Sequence, residues 1–187
     1  MYLFPSLLDF YDSPLKEQWW IKHPLPTTEA QYQRAVLSAS FKKKVYVEPE
    51  GGLPPPPKIE GAPSSSYQRN PAPAGEALKN ADYKCEINPT HETFVSSAKD
   101  LPYVEAHHLV PIGRQGSYGV SLDVISNIVA LCPLCHKLLH HGKMESKIDF
   151  LRQLLSKRNG LLTKKEILLD EAKLLSYYNK DLLEEEA

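Results

Sequence analysis

The sequence predicts an α+β protein in which one short two-stranded hairpin is flanked by helices. Three observations carry that reading. Segment 103–110 contains a strand-like stretch, and Ile128 to Leu131 is an unbroken apolar run of strand length. The connection between them holds Gly113, Gly116 and Gly119, so a flexible loop is expected there. Directly after the second run, Pro133 opens a helix that carries His136 to His141 and stops at Gly142.

The elements around this hairpin follow from local signals. Residues 1–48 are rich in aromatics, including Trp19, Trp20, Tyr32, Phe41 and Tyr46. Thr27 or Thr28 caps a helix to about Phe41, with Tyr32, Ala35, Val36 and Ala39 on one face. Lys42, Lys43 and Lys44 suit its C-terminal dipole. This stretch reads as a small helical arm that packs; the alternative is a partner-docking, dimer or DNA-touching element. Residues 49–66, with Gly51, Gly52, the run Pro54 to Pro57 and Ser64 to Ser66, read as an extended linker. Asn70 then caps a helix with Pro71 in its first turn, running to Ala81.

Beyond Gly142, Ile148, Leu151, Leu154 and Leu155 form the apolar stripe of a helix expected to end at Asn159–Gly160. Thr163 and Glu166 read as a capping box, and Leu162 with Ile167 as a hydrophobic staple, opening a last helix to about Tyr178. The acidic end, 181–187, is expected to fray. The main unit is therefore 67–180.

Composition narrows the function. The net charge of the 187 residues is −1, and residues 1–66, 67–142 and 143–187 come to 0, −1 and 0. A wholly basic DNA-coating protein is excluded; phosphate contacts must come from local Lys/Arg clusters and a bound metal. Three cysteines with one close pair indicate metal binding in a reducing compartment, not a disulfide framework. Pro5 and Asp9 interrupt the apolar N-terminus and no basic region precedes it, so it does not read as a signal peptide. No stretch approaches membrane-spanning length. A cytoplasmic protein is expected.

Six of the seven histidines lie between positions 91 and 141. His136 and His140 are four apart on the expected helix, which puts both side chains on one face, roughly 6 Å apart at Cβ. They suit two ligands of one metal. His107 and His108 sit at a strand end, where neighbours point to opposite faces. One of them can bind the metal while the other faces a substrate. Cys132 and Cys135 have the spacing of half a zinc knuckle. Cys85 offers a third ligand, and His91 a fourth; the alternative leaves His91 as a loop histidine. His141, rotated about 100° from His140, is left for phosphate or solvent.

The run Tyr103, Glu105, His107, His108 and Pro111, then Asn127, then Leu131, Cys132, Cys135, His136 and His140 resembles an HNH (ββα-metal) endonuclease. It is most similar to the zinc-containing HNH domains of modified-cytosine-dependent (5-methylcytosine-specific) restriction endonucleases, and its Glu105-x-His107-His108 start is similar to the colicin-type nucleases. The resemblance covers about 67–180. It implies a metal-dependent DNA endonuclease, with His108 as general base and His107, His136 and His140 holding one divalent metal. Asn127 would brace the loop and orient His108; Glu105 would support a ligand or contact DNA. A separate structural Zn²⁺ would take Cys85, His91, Cys132 and Cys135, while the catalytic ion would be Mg²⁺, Mn²⁺ or Ni²⁺.

Candidates for phosphate contact are Arg114, Lys137, Lys143, Lys157, Arg158, Lys164 and Lys165, each more often a solvated charge. No reader domain for modified bases is visible. Selectivity is therefore expected from a homodimer, from a partner recognition or ATPase subunit in a defence complex, or not at all. A non-catalytic zinc DNA-binding module is the rival reading.

Overall fold

The computed structural model describes residues 29–41, 45–59, 67–97 and 100–179. The Thr27/Thr28 cap, Trp19–Trp20, the lysine run 42–44 and the acidic tail lie outside the described residues. The elements are α1 (Glu29–Ser40), α2 (Pro71–Asn80), β1 (Glu105–His108), β2 (Ile128–Leu131), α3 (Pro133–His141), α4 (Met144–Lys164) and α5 (Glu171–Tyr178). Among the described residues, no helix is long and apolar enough to cross a membrane.

β1 and β2 pair antiparallel, with Ala106 opposite Ala130 and His107 opposite Val129. Side chains alternate across such a pair, and here both faces are covered. Ala106, Ile128 and Ala130 join Tyr32, Val36, Leu37, Ala74, Ala77 and Leu78 of α1 and α2. Val129 and Leu131 join Leu139, Leu151, Leu154 and Leu162 of α3 and α4. The hairpin thus separates two apolar clusters, and His107 and His108 emerge on opposite sides of it.

α1 buries Tyr32, Gln33, Val36, Leu37, Ala39 and Ser40. The apolar face is therefore turned toward Leu37 relative to the expected stripe, and Ala35 is only half-buried. A buried glutamine needs partners, and the free edge of β1 supplies them. Gln33 donates from Nε2 to the carbonyl of Ala106 at 2.7 Å and accepts from its N–H at 3.0 Å. The side chain thereby acts as a surrogate strand for the edge.

α2 begins as expected: Asn70 accepts from the N–H of Ala72 at 2.9 Å, with Pro71 next. Gly75 lets α2 approach α1, because a Cβ there would lie 2.6 Å from Ser40 N and 2.9 Å from Ala39 C. Gly75→Ala is expected to lower stability by about 1–3 kcal/mol through overpacking. Gly160, with nothing within 4 Å, is the control; its alanine variant should gain about 0.5–1 kcal/mol from helix propensity. Denaturant midpoints of the two variants, moving in opposite directions, check this.

The expected break at Asn159–Gly160 is overturned. α4 continues to Lys164, because Leu162 extends the buried stripe of Leu151 and Leu154. Thr163 does not cap; its hydroxyl donates back to Asn159 O at 2.9 Å inside the helix. Ile167 N–H reaches Leu162 O and Glu166 N–H reaches Thr163 O, both at 3.0 Å, with Glu166 at φ 60°. That is a Schellman stop, so Leu162 and Ile167 share the core at the end of α4 and not at the start of a helix. The last helix opens at Asp170, which accepts from Lys173 N at 2.7 Å.

The glycine-rich connection is more ordered than expected. Residues Ile112–Ser117 form a 3₁₀ turn. Buried Gln115 donates to Val120 O at 2.8 Å and accepts from Leu122 N at 2.7 Å. Residues 48–58 lie along the same side: Ser121 N donates to Leu53 O at 2.7 Å, and Glu48 accepts from Ile125 N at 2.7 Å.

Candidate active site

β1 and α3 bring three histidines together. His107, His136 and His140 each offer a ligand atom, all within 4.8 Å of one another. The Nε2 atoms of His136 and His140 are 3.1 Å apart. Two imidazole nitrogens on one tetrahedral zinc-sized ion at about 2.0–2.1 Å would stand about 3.3 Å apart, so the pair fits a shared cation. Burial, and next the imidazoles of His136 and His140, hold the His107 pKa well below its ordinary value. A neutral ring is the form that binds metal.

Outer partners fix which nitrogen of each ring is available. Glu105 Oε2 is 2.6 Å from His136 Nδ1. Burial opposes the charge of Glu105, yet the hydrogen bond and charge of His136 and the bond from Tyr103 hold its carboxyl below the usual range. As a carboxylate it only accepts, so His136 carries its proton on Nδ1 and leaves Nε2 for metal. Tyr178 OH donates to Leu109 O at 2.9 Å and stands 2.8 Å from His107 Nε2. Its single proton is committed to a carbonyl, so it accepts from His107 Nε2–H and leaves Nδ1 for metal. Tyr178→Phe is expected to weaken binding of Mn²⁺ at this site by about 10–100-fold, as read by isothermal titration, without loss of zinc.

A second cluster lies at the N-terminus of α3. Cys85, His91, Cys132 and Cys135 offer ligand atoms within 4.8 Å of one another. His91 Nδ1 stands 3.4 Å from Cys135 Sγ and 3.6 Å from Cys132 Sγ. A tetrahedral zinc with Zn–S about 2.3 Å and Zn–N about 2.0–2.1 Å requires about 3.6 Å along such an edge. The donor set therefore fits zinc. All three thiols are unbridged. Against its burial, backbone hydrogen bonds at Asn88, Cys132 and Ile87 pull the Cys85 thiol down to about 7. Burial and then the neighbouring thiols push Cys135 up, the crowding a cation would relieve. Glu86 seats this segment against β2, its N–H donating to Ala130 O and its carboxylate accepting from Ala130 N, each at 2.9 Å.

Asn127 is fully buried. Its Oδ1 accepts from Val110 N at 2.8 Å, and its Nδ2 donates to Val110 O and Leu122 O at 2.9 Å each. His108 lies on the α1–α2 side of the hairpin, 7% exposed, with its ring against Tyr32. Its Nε2 is 3.0 Å from Asp123 Oδ1. Asp123 is held in turn by Asn70 N on Oδ2 at 2.5 Å and by Ser121 Oγ on its own N–H at 3.1 Å.

Asp123 escaped sequence reasoning, as did the contacts of Tyr178 with His107 and of Tyr32 with His108. Asp123 had a signal, an acidic residue set between apolar Leu122 and Val124. Tyr178, seventy-one residues from His107, had none.

Of the basic candidates, Arg114, Lys137, Lys143 and Lys164 are exposed, and Arg114 lies 5.3 Å from the Tyr177 ring centroid. Lys157 and Arg158 both engage Glu86, through its carbonyl and its carboxylate at 2.5 Å each. Lys165 does not reach the surface as expected. It is buried, 3.1 Å from Glu48 Oε2 and bonded to Pro49 O. His141 is exposed beside His140.

Comparison with known proteins places these clusters. Residues 91–142 match the HNH endonuclease family. Over 101 residues the chain is 33% identical to the type IV methyl-directed restriction enzyme EcoKMcrA of Escherichia coli (strain K12), covering 54% of this chain and 34% of that protein. The chain therefore spans about a third of the length of this curated relative. A solved structure, the type IV phosphorothioation-dependent restriction endonuclease ScoMcrA, matches with a TM-score of 0.42 and 25% identity over 74% of this chain and 22% of that one. Every histidine and cysteine of the two clusters except Cys85 falls inside the stretch 91–142 that matches the HNH endonuclease family.

Proposed function

We propose that this chain is a metal-dependent DNA endonuclease of the ββα-metal type acting in restriction of foreign DNA, with 67–180 as its nuclease unit. The observation that carries the reading is the convergence of His107, His136 and His140 within 4.8 Å inside the HNH segment. His107 through Nδ1, and His136 and His140 through Nε2, hold the catalytic cation. Mg²⁺, Mn²⁺ or Ni²⁺ bound there supplies charge stabilisation for the phosphodiester in the transition state.

His108 acts as general base. Asp123 accepts its Nε2–H, leaving Nδ1 to take a proton from the attacking water. The water oxygen bonds to phosphorus, the bond from phosphorus to O3′ breaks, and O3′ leaves with a proton taken from a second, solvent water. The products carry 5′-phosphate and 3′-hydroxyl ends. Asn127 keeps the loop after β1 in register with the strand that carries both histidines. Cys85, His91, Cys132 and Cys135 hold a structural zinc that fixes the start of α3, and with it His136 and His140. Arg114, Lys137 and Lys143 contact phosphates; Lys157 and Arg158 serve the knuckle through Glu86.

The test uses unmodified and cytosine-modified supercoiled plasmid with each of the three metals, followed by end analysis. Nicking with 5′-phosphate ends is expected in at least one metal. Persistently intact plasmid with a zinc-loaded protein would leave the zinc DNA-binding module as the better description.

A further inference from the structure

A groove of about 840 Å³ opens between α1 and the segment around Phe94 and Tyr103, and it is also lined by Glu105, His136 and Lys137. One of the metal-site histidines is therefore part of its wall. Phe94 is 62% exposed, and its ring lies on Tyr103 with centroids 4.7 Å apart and planes 16° from parallel. The pair is fixed from several sides. Tyr103 OH donates to Glu105 at 3.1 Å, its N–H donates to Phe94 O at 2.9 Å, and its carbonyl accepts from Thr93 Oγ1 at 2.6 Å. Phe94 therefore presents a flat ring to water, backed by a hydrogen-bonded tyrosine, a surface on which a planar group can stack.

With Glu29 neutralised by Arg69, the groove has more cations, Arg34 and Lys137, than remaining carboxylates, Glu105 alone. Its two carboxylates are already partnered, Glu29 by Arg69 at 2.7 Å and Glu105 by His136 at 2.6 Å. Arg34 and Lys137 line it from exposed positions. A flat π-surface, two cations and a metal-site histidine in one groove match a ligand with planar rings joined by phosphates. Bases inside a duplex have both faces stacked already, so such a platform suits an unpaired or extruded base.

Resting on the nuclease reading, we propose that this groove holds one unstacked base of the substrate strand on Phe94, with adjacent phosphates against Arg34 and Lys137. The groove is then a selectivity element that favours single-stranded, mismatched or locally opened DNA. The base enters beside His136, on the side of that ring occupied by Glu105.

The test uses the full chain carrying His108→Ala, to suppress cleavage, and an oligonucleotide with one internal 2-aminopurine, either single-stranded or fully paired. Adding Phe94→Ala is expected to weaken single-strand binding by roughly 5- to 150-fold and to remove the quenching of 2-aminopurine. Phe94→Trp should retain both, and paired DNA should lose much less. Arg34→Ala should reduce the salt dependence of single-strand binding by about 0.7 in log–log slope. Zinc content confirms that each variant is folded.

Unchanged single-strand affinity and quenching in Phe94→Ala would overturn the proposal and mark the aromatic surface as a protein-docking site. An equal loss on single-stranded and paired DNA would also overturn it. Wild-type plasmid cleavage separates the two readings. Cleavage without a Phe94 effect removes the groove and leaves the nuclease; a Phe94 effect without cleavage removes the nuclease and leaves a nucleic-acid groove.

Discussion

His108→Ala is expected to reduce DNA cleavage by about 10²–10⁴-fold, the usual contribution of a positioned general base, with zinc content close to wild type and stability lowered by about 1–3 kcal/mol, because buried Asp123 loses a partner. The variant keeps His107, His136 and His140, so binding of the catalytic cation persists. Asp123→Ala should reduce cleavage by about 10–100-fold, the common effect of losing an outer hydrogen-bond partner. The pair together decides the role of Asp123. If Asp123 acts through His108, its removal adds nothing in the His108→Ala background, because groups acting as one unit are not additive. A purely structural Asp123, holding only Asn70 N, would add its full effect in both backgrounds and lower the denaturation midpoint as well. Cleavage by His108→Ala at the wild-type rate would remove this histidine from the chemistry.

The second large effect concerns zinc. Binding at a structural zinc site contributes on the order of 10 kcal/mol to folding, comparable with the whole stability of a typical domain, about 5–15 kcal/mol. Cys85→Ser removes one of four ligands and leaves two buried thiols and His91 around an incomplete site. The expected outcome is loss of cooperative unfolding, of bound zinc and of cleavage together. Lys157 and Arg158 both rest on Glu86, the residue next to Cys85, so release of this segment should also loosen α4. A folded Cys85→Ser variant with wild-type stability and no zinc would show that the knuckle is dispensable.

Much of the site was legible because its geometry is local. His136 and His140 share a helix face by spacing alone, and Pro133 and Gly142 fix the ends of that helix. The cysteine pair and the apolar strand run Ile128–Leu131 are equally short-range. What escaped the sequence depends on contacts far along the chain. Tyr178 reaches His107 from α5, and Gln33 satisfies the edge of β1 from α1. Neither side chain carries a local pattern that announces such a partner.

The misplaced helix boundary has a different cause. Thr163, Glu166, Leu162 and Ile167 satisfy the sequence rule for a helix start, yet apolar continuity from Leu154 to Leu162 carries α4 past Gly160. The same apolar pair then closes its C-terminus. His108 was expected on the substrate side, opposite the metal ligands, and alternation does place it opposite. The surface it meets there is Tyr32 of α1, a covering that no strand pattern reveals.

The proposed function requires two separate metal centres in one chain, one for folding and one for chemistry. Its most direct test measures plasmid nicking and zinc content on the same sample through mild chelation and Mn²⁺ add-back. Chelation is expected to stop nicking while one zinc per chain remains, and Mn²⁺ to restore nicking at constant zinc. A folded, zinc-loaded protein that never nicks DNA with Mn²⁺, Mg²⁺ or Ni²⁺ would contradict the proposed function.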